Sequence, residues 1–207
     1  MPDLEMEKEL LADGWVRVAG VDEAGRGPLA GPVAAAAVVL PHDFACPWLD
    51  DSKKLTAKRR DELFEVLTTD GSVSWALAYA EVGEIEALNI LKATHMAMGR
   101  AVAALSQAPD YCLIDGLDVP GFPLASRGVV KGDGLSLSIA AASVIAKVSR
   151  DRRMKEYATE FPQYGFENHK GYGTKAHLDA LRNHGHCRIH RQTFQPIAQL
   201  ALPFERE

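Results

Sequence analysis

The sequence predicts an α/β fold in one domain, with a helical extension at its C-terminal end. Three observations carry that expectation. Short apolar runs recur along the first two thirds of the chain and stop at carboxylates. Helical patterns and glycine- or proline-containing loops alternate with those runs. After about residue 135 the strand signal gives way to helix, first apolar and then basic. At 207 residues and 47% hydrophobic, the chain is long enough for one well-buried core.

Residues 15–21 read as a strand that ends in Asp22 and Glu23, followed by a turn containing Gly25, Arg26 and Gly27. Residues 32–40 are Ala/Val-rich and read as a second strand, ended by Pro41. Thr56 is a plausible N-cap for a helix whose apolar stripe is Leu63, Phe64 and Leu67. Alternation at Val73, Trp75, Leu77 and Tyr79 predicts a third strand over 72–82. Residues 83–105 predict a long helix interrupted near Asn89. The run 111–114 is a further strand, stopping at Asp115-Gly116, and 129–130 repeats the design before Lys131-Gly132-Asp133-Gly134. A helix over 135–161, a Gly/Tyr/His-rich loop and a helix from Thr174 to about Asn183 complete the chain, and the segment around Pro196 is irregular.

Composition narrows the function. No apolar run approaches the roughly 18 residues of a membrane span. The first residues are acidic and lack the basic-then-apolar order of a secretory signal. Cys46, Cys112 and Cys187 are sparse, odd in number and without CxxC spacing, which argues for reduced thiols in the cytoplasm. The net charge of −5 conceals an asymmetry. Residues 1–146 carry 12 Lys/Arg against 21 Asp/Glu, whereas 147–191 carry 10 against 5, with five histidines. A basic section beside an acidic body suits one face for a polyanion and another for metal.

Asp22, Asp115 and Asp133 each follow a short apolar run. Strand ends on one edge of an open α/β sheet converge, so the three can meet in space. Glu23 can join them only if the chain turns, since consecutive strand residues point to opposite faces. Gly25 and Gly27 permit that turn. Clustered carboxylates repel, and Mg²⁺ or Mn²⁺ removes the cost. Two such ions about 3.5–4 Å apart can serve an in-line phosphoryl displacement. The plainer reading is that each Asp-Gly is only a turn. The histidines form no helical metal-binding pair, so core or solvent is their expected place.

At these residues the chain resembles the ribonuclease HII family. The resemblance rests on Asp22-Glu23-Ala24-Gly25-Arg26-Gly27-Pro28, Asp51-Ser52-Lys53-Lys54-Leu55, Asp115-Gly116 and Lys131-Gly132-Asp133. It continues in the run from Ile139 to Val148 with Arg150-Asp151, in His169-Lys170-Gly171-Tyr172-Gly173-Thr174, and in the stretch from His190 to Pro196, where Thr193 replaces a common serine. It implies an RNase H-like fold: a mixed five-stranded sheet, its first strands antiparallel, with helices on both sides. It also implies cleavage of RNA in RNA·DNA hybrids and incision 5′ of single ribonucleotides in duplex DNA, leaving 3′-hydroxyl and 5′-phosphate ends. Asp22, Glu23, Asp115 and Asp133 then become the metal ligands. Gly25, Arg26 and Gly27 become the loop that reads the ribose 2′-hydroxyl, and Tyr172 stacks on the next sugar.

Lys53, Lys54, Lys147, Arg150 and Lys170 are candidates for phosphate contacts, which position a duplex without reading its sequence. The core is expected over about 15–160, with 161–207 as a substrate-binding extension. Phe122, Phe161, Phe166 and Phe194 are expected in the core. A monomer is expected, and residues 195–207 show no glutamine-anchored aromatic motif for a sliding clamp. The rival readings are another metal-dependent nuclease of the same fold acting on DNA, and a non-catalytic nucleotide-binding module.

Overall fold

A computed structural model describes residues 1–50, 52 and 55–200. Its centre is a five-stranded sheet of order β3-β2-β1-β4-β5. The strands are β1 (Val18–Ala24), β2 (Val33–Val39), β3 (Ser74–Ala80), β4 (Tyr111–Asp115) and β5 (Ala125–Val129). β1, β2 and β3 pair antiparallel, while β4 and β5 join β1 in parallel, giving the expected mixed sheet.

The helices are α1 (Glu5–Ala12), α2 (Ala57–Thr69), α3 (Val82–Leu88), α4 (Ile90–Ala103), α5 (Leu137–Glu160), α6 (Phe166–His169), α7 (Lys175–His184) and α8 (Ile197–Leu200). β2 is buried on both faces, which explains its unbroken Ala/Val composition. Val33, Ala35 and Ala37 face the cluster formed with Ala93, Ala97 and Ala101 of α4. Ala36 and Val38 face α5 and α2 on the opposite side. Thr56 caps α2 by accepting a hydrogen bond from the Arg59 amide. The break between α3 and α4 falls at Asn89, whose φ is +72° and whose side chain caps α4.

Three expectations need correction. The first strand begins and ends three residues later than predicted, so Asp22 and Glu23 lie within β1. β5 precedes the apolar pair at 129–130; Asp133 sits on a separate 3-10 turn, Gly132–Gly134, entered through Lys131 at φ +59°. α1 had no counterpart in the sequence reading. Of the four phenylalanines, Phe166 is fully buried and the others are half-buried against the core.

Gly20 sets the distance between sheet and α5. A Cβ there would lie 2.1 Å from the Ser138 carbonyl carbon, so only glycine lets the first turn of α5 rest on β1. The C-terminal helices form their own cluster around Met154, Tyr164, Phe166, Leu181 and Ile197. Leu29 and Ala30 belong to that cluster, so the extension is packed directly against the glycine-rich loop.

Candidate active site

The sheet register explains how the carboxylates meet. β1 and β4 pair in parallel up to Val21 opposite Ile114, so the next residues, Asp22 and Asp115, stand side by side at one strand end. Asp115 then gathers the third. Its Oδ1 accepts from the Gly132 amide at 2.8 Å, drawing the 3-10 turn that carries Asp133 towards the end of β4. The carboxylates of Asp22, Asp115 and Asp133 consequently offer oxygens all within 4.8 Å of one another. Glu23 is not in this group of three. It lies beside them and is paired with Arg26 at 3.3 Å.

Asp22 is 3% exposed. Burial, then the neighbouring charges of Glu23 and Asp115, hold its carboxyl well above the usual carboxylate range. A Ser143 hydroxyl hydrogen bond and the Glu23 amide, donating at 2.6 Å, act in the opposite direction. Ser143 is in turn bonded to Ser52 at 2.8 Å. A largely buried set of hard oxygen ligands under mutual repulsion fits a divalent cation, which relieves the cost of ionising all three.

The glycine loop is held from beneath by two arginines. Arg191 is fully buried; it donates to the carbonyls of Gly25 at 2.6 Å, Arg26 and Pro28 at 2.8 Å, and Gly31 at 2.8 and 3.0 Å. Arg150, 1% exposed, donates to Pro32, Ala30 and Lys170 carbonyls at 2.9–3.1 Å. The expectation that Arg150 contacts phosphate is therefore corrected: its guanidinium is enclosed and its bonds go to backbone. Burial, aided by Arg150, pushes Arg191 down to about 9. The carbonyl dipoles offset the desolvation of two adjacent cations. Gly25 is obligatory here, at φ +102° with Arg150 Nε 1.9 Å from where a Cβ would sit.

Across a trans peptide the carbonyl and the next amide point in opposite directions. With the Gly25 and Arg26 carbonyls turned to Arg191, the amides of Arg26 and Gly27 are turned away from it. They border a cleft of about 310 Å³ that also holds Asp22, Asp115, Lys147 and Tyr172. Tyr172 is 46% exposed and faces Gly27 across this cleft. Lys147, paired with Asp151 at 2.8 Å, and Lys170 line a second basic cleft with Arg60, Arg152 and Lys155. Lys53 and Lys54 lie outside the described residues.

Two histidines absent from the predicted site support Tyr172. The Tyr172 carbonyl can only accept, so His177 donates through Nδ1, at 2.9 Å. His177 Nε2 then accepts from His190 Nε2 at 3.0 Å, and His190 Nδ1 accepts from the Cys187 amide at 2.9 Å. This direction requires both rings neutral; burial pushes His177 down to about 4 and His190 down to about 3. His190 and Arg191 lie in the closing His190–Pro196 stretch of the resemblance, but nothing local in the sequence shows that His190 bonds His177, 13 residues earlier, or that Arg191 bonds the glycine loop.

Comparison with known proteins agrees with this geometry. The family model described as Ribonuclease HII matches residues 19–197. A ribonuclease HII of Ruegeria pomeroyi is 52% identical over 200 residues, covering 96% of this chain and 85% of that protein. One from Desulfitobacterium hafniense is 50% identical over 196 residues, covering 95% of this chain and 75% of the relative. Among solved structures, the ribonuclease H2 of Pyrococcus horikoshii superposes with a TM-score of 0.72 at 25% identity, covering 89% of this chain and 97% of that one. The RNase HII in the PCNA:RNase HII complex from Archaeoglobus fulgidus gives 0.72 at 23% identity, covering 87% and 96%, a likeness of fold. With half its residues identical to these relatives over nearly its whole length, and with Asp22, Asp115 and Asp133 converging beside the glycine loop, the chain belongs to the ribonuclease HII family.

Proposed function

We propose that Asp22, Glu23, Asp115 and Asp133 hold two divalent cations, Mg²⁺ or Mn²⁺, and that Gly25–Gly27 and Tyr172 select the ribonucleotide. The activity is that of a metal-dependent RNase H-type endonuclease acting on RNA·DNA hybrids and embedded ribonucleotides. The observation that carries the assignment of roles is the convergence of three aspartates within 4.8 Å, at the mouth of the glycine-loop cleft. When bound, the cations supply charge neutralisation for the attacking and leaving oxygens.

The chain's own groups do the rest. The Arg26 and Gly27 amides, turned from Arg191, donate to the 2′-hydroxyl, the group that separates RNA from DNA at one nucleotide. A DNA nucleotide leaves those donors unmatched. Arg26 exchanges its ion pair with Glu23 for a substrate phosphate, and Glu23 turns towards the aspartates as the fourth carboxylate. Tyr172 stacks on the sugar that follows. Lys147 and Lys170, with Lys53 and Lys54, contact phosphates and fix the duplex in register. Cleavage falls 5′ of the ribonucleotide, leaving 3′-hydroxyl and 5′-phosphate ends. Residues 161–207 serve as the substrate-binding extension of a single catalytic domain. The Archaeoglobus protein was solved with PCNA; for this chain no clamp contact is proposed.

The test is a duplex with one embedded ribonucleotide, incubated with Mg²⁺, Mn²⁺ or chelator beside an all-DNA control. Incision is expected only with metal and only at the ribonucleotide, and Asp22→Asn should abolish it while the duplex still binds. Full activity of Asp22→Asn, or equal cutting of the control, would overturn the assignment.

A further inference from the structure

We infer that Glu7 on α1 is a positioning residue for the catalytic turn, and that the N-terminal arm is thereby part of the metal site's support. The inference rests on the proposed role of Asp133 as a metal ligand. α1 precedes residue 19, where the match to the family model begins. Its carboxylate nevertheless reaches the start of α5.

Glu7 is buried, and its Oε1 accepts three hydrogen bonds there: from Ser136 Oγ at 2.6 Å, Ser138 Oγ at 2.5 Å and the Ser138 amide at 3.1 Å. The backbone of the same arm adds two more bonds. The Asp3 amide donates to the Leu135 carbonyl at 3.1 Å, and the Leu137 amide donates to the Asp3 carbonyl at 2.8 Å. Five hydrogen bonds therefore hold residues 135–138, the link between the 3-10 turn carrying Asp133 and α5.

That link transmits directly to the carboxylates. The Ser136 amide donates back to the Gly132 carbonyl at 2.8 Å, and the Gly132 amide bonds Asp115. Ser136 also caps α5 through the Ile139 amide, and Gly20 seats the same turn on β1. A carboxylate at a helix N-terminus meets the positive end of the helix dipole as well as its unpaired amides. Without Glu7, Ser136 and Ser138 keep their burial; one hydroxyl can turn to the other at 3.1 Å, while the second hydroxyl and the Ser138 amide lose their acceptor. The turn is then free to shift, and Asp133 moves relative to Asp22 and Asp115.

The other oxygen, Oε2, is buried with no hydrogen-bond partner among the described residues. Glutamine at this position would thus keep the acceptor and break no existing bond. This makes Glu7→Gln the rescue for Glu7→Ala.

The experiment is titration of the full chain with Mn²⁺ alone, read by calorimetry, with thermal unfolding recorded for each variant. Glu7→Ala is expected to weaken Mn²⁺ binding roughly three- to tenfold, at or below the low end for direct partners of a metal ligand. Glu7→Gln should stay within about twofold of the parent, the signature of an acceptor that only holds a turn. Val102→Ala, on the opposite face of the sheet, should lower the unfolding temperature and leave the Mn²⁺ constant unchanged. A folded Glu7→Ala with the parent's constant, or a Glu7→Gln as weak as the alanine variant, would overturn the role of Glu7. If Glu7→Ala does not fold, Ser138→Ala replaces it, and a parental constant there has the same consequence. Asp133→Asn distinguishes the two readings: binding at the parental constant in that variant means Asp133 is no ligand, whatever Glu7 does.

Discussion

Tyr172, proposed to stack on the substrate with its half-exposed ring, has its backbone carbonyl anchored by His177, and the carbonyl of its neighbour Gly171 accepts from the Leu29 amide at 2.8 Å. Stacking on a sugar matters most where the duplex changes from RNA to DNA at a single step. Tyr172→Ala should therefore lose more activity on one embedded ribonucleotide than on a long RNA·DNA hybrid, by roughly tenfold, which corresponds to about 1.4 kcal/mol. Comparing the two kcat/KM ratios checks this, and equal losses would remove the junction role. Although only Asp115 closes its strand, with Asp22 within β1 and Asp133 on the 3-10 turn after β5, the three aspartates were legible as a set because each follows a short apolar run. Arg150 was not. An arginine in a basic stretch has the same local signature whether it faces phosphate or the three backbone carbonyls of Ala30, Pro32 and Lys170, and only the path of the chain around it decides between them.

At the scale of elements, the join between the glycine loop and the C-terminal extension depends on groups that must keep one protonation state. His177 and His190 are neutral in the fold and held well below the ordinary histidine value of about 6.5. Below that value the unfolded chain binds protons that the folded chain refuses. Their contribution is complete above about pH 6.5 and is lost as the pH falls towards 4, by at most about 1.4 kcal/mol per pH unit for each ring. Urea unfolding at pH values across this window should show the slope, and a variant with both histidines changed to glutamine should show less of it. An unchanged slope in that variant would count against the neutral pair. The elements that escaped the sequence reading share a cause. β5 is an edge strand, half-exposed, whose Ala-Ser-Arg-Gly-Val sequence has no apolar run. α1 is short and acidic, and its two buried residues, Glu7 and Leu10, only make sense once α5 lies against them.

For the molecule as a whole, one sheet edge carries a concentration of negative charge that the fold alone does not balance. Fold class and the helical extension follow from local patterns, and the mixed sheet with antiparallel first strands follows from the family resemblance. The state of the carboxylates follows only from their assembly, because Asp22 owes its raised pKa to burial and to partners 93 residues or one residue away. The metal-free fold holds the pKa of the Asp22 carboxyl above its unfolded value of about 3.9, so raising the pH above that unfolded value costs stability. A divalent cation takes the place of the proton and competes with it. Saturating Mg²⁺ should thus raise the unfolding temperature more at about pH 8 than at about pH 5, since stabilisation grows with affinity and affinity grows as the carboxyl ionises. The histidine pair destabilises the acidic samples with and without metal alike and drops out of the difference. Scanning calorimetry with Mg²⁺ and with chelator at both pH values measures that difference, and an increment independent of pH would mean that Asp22 is not where the cation binds.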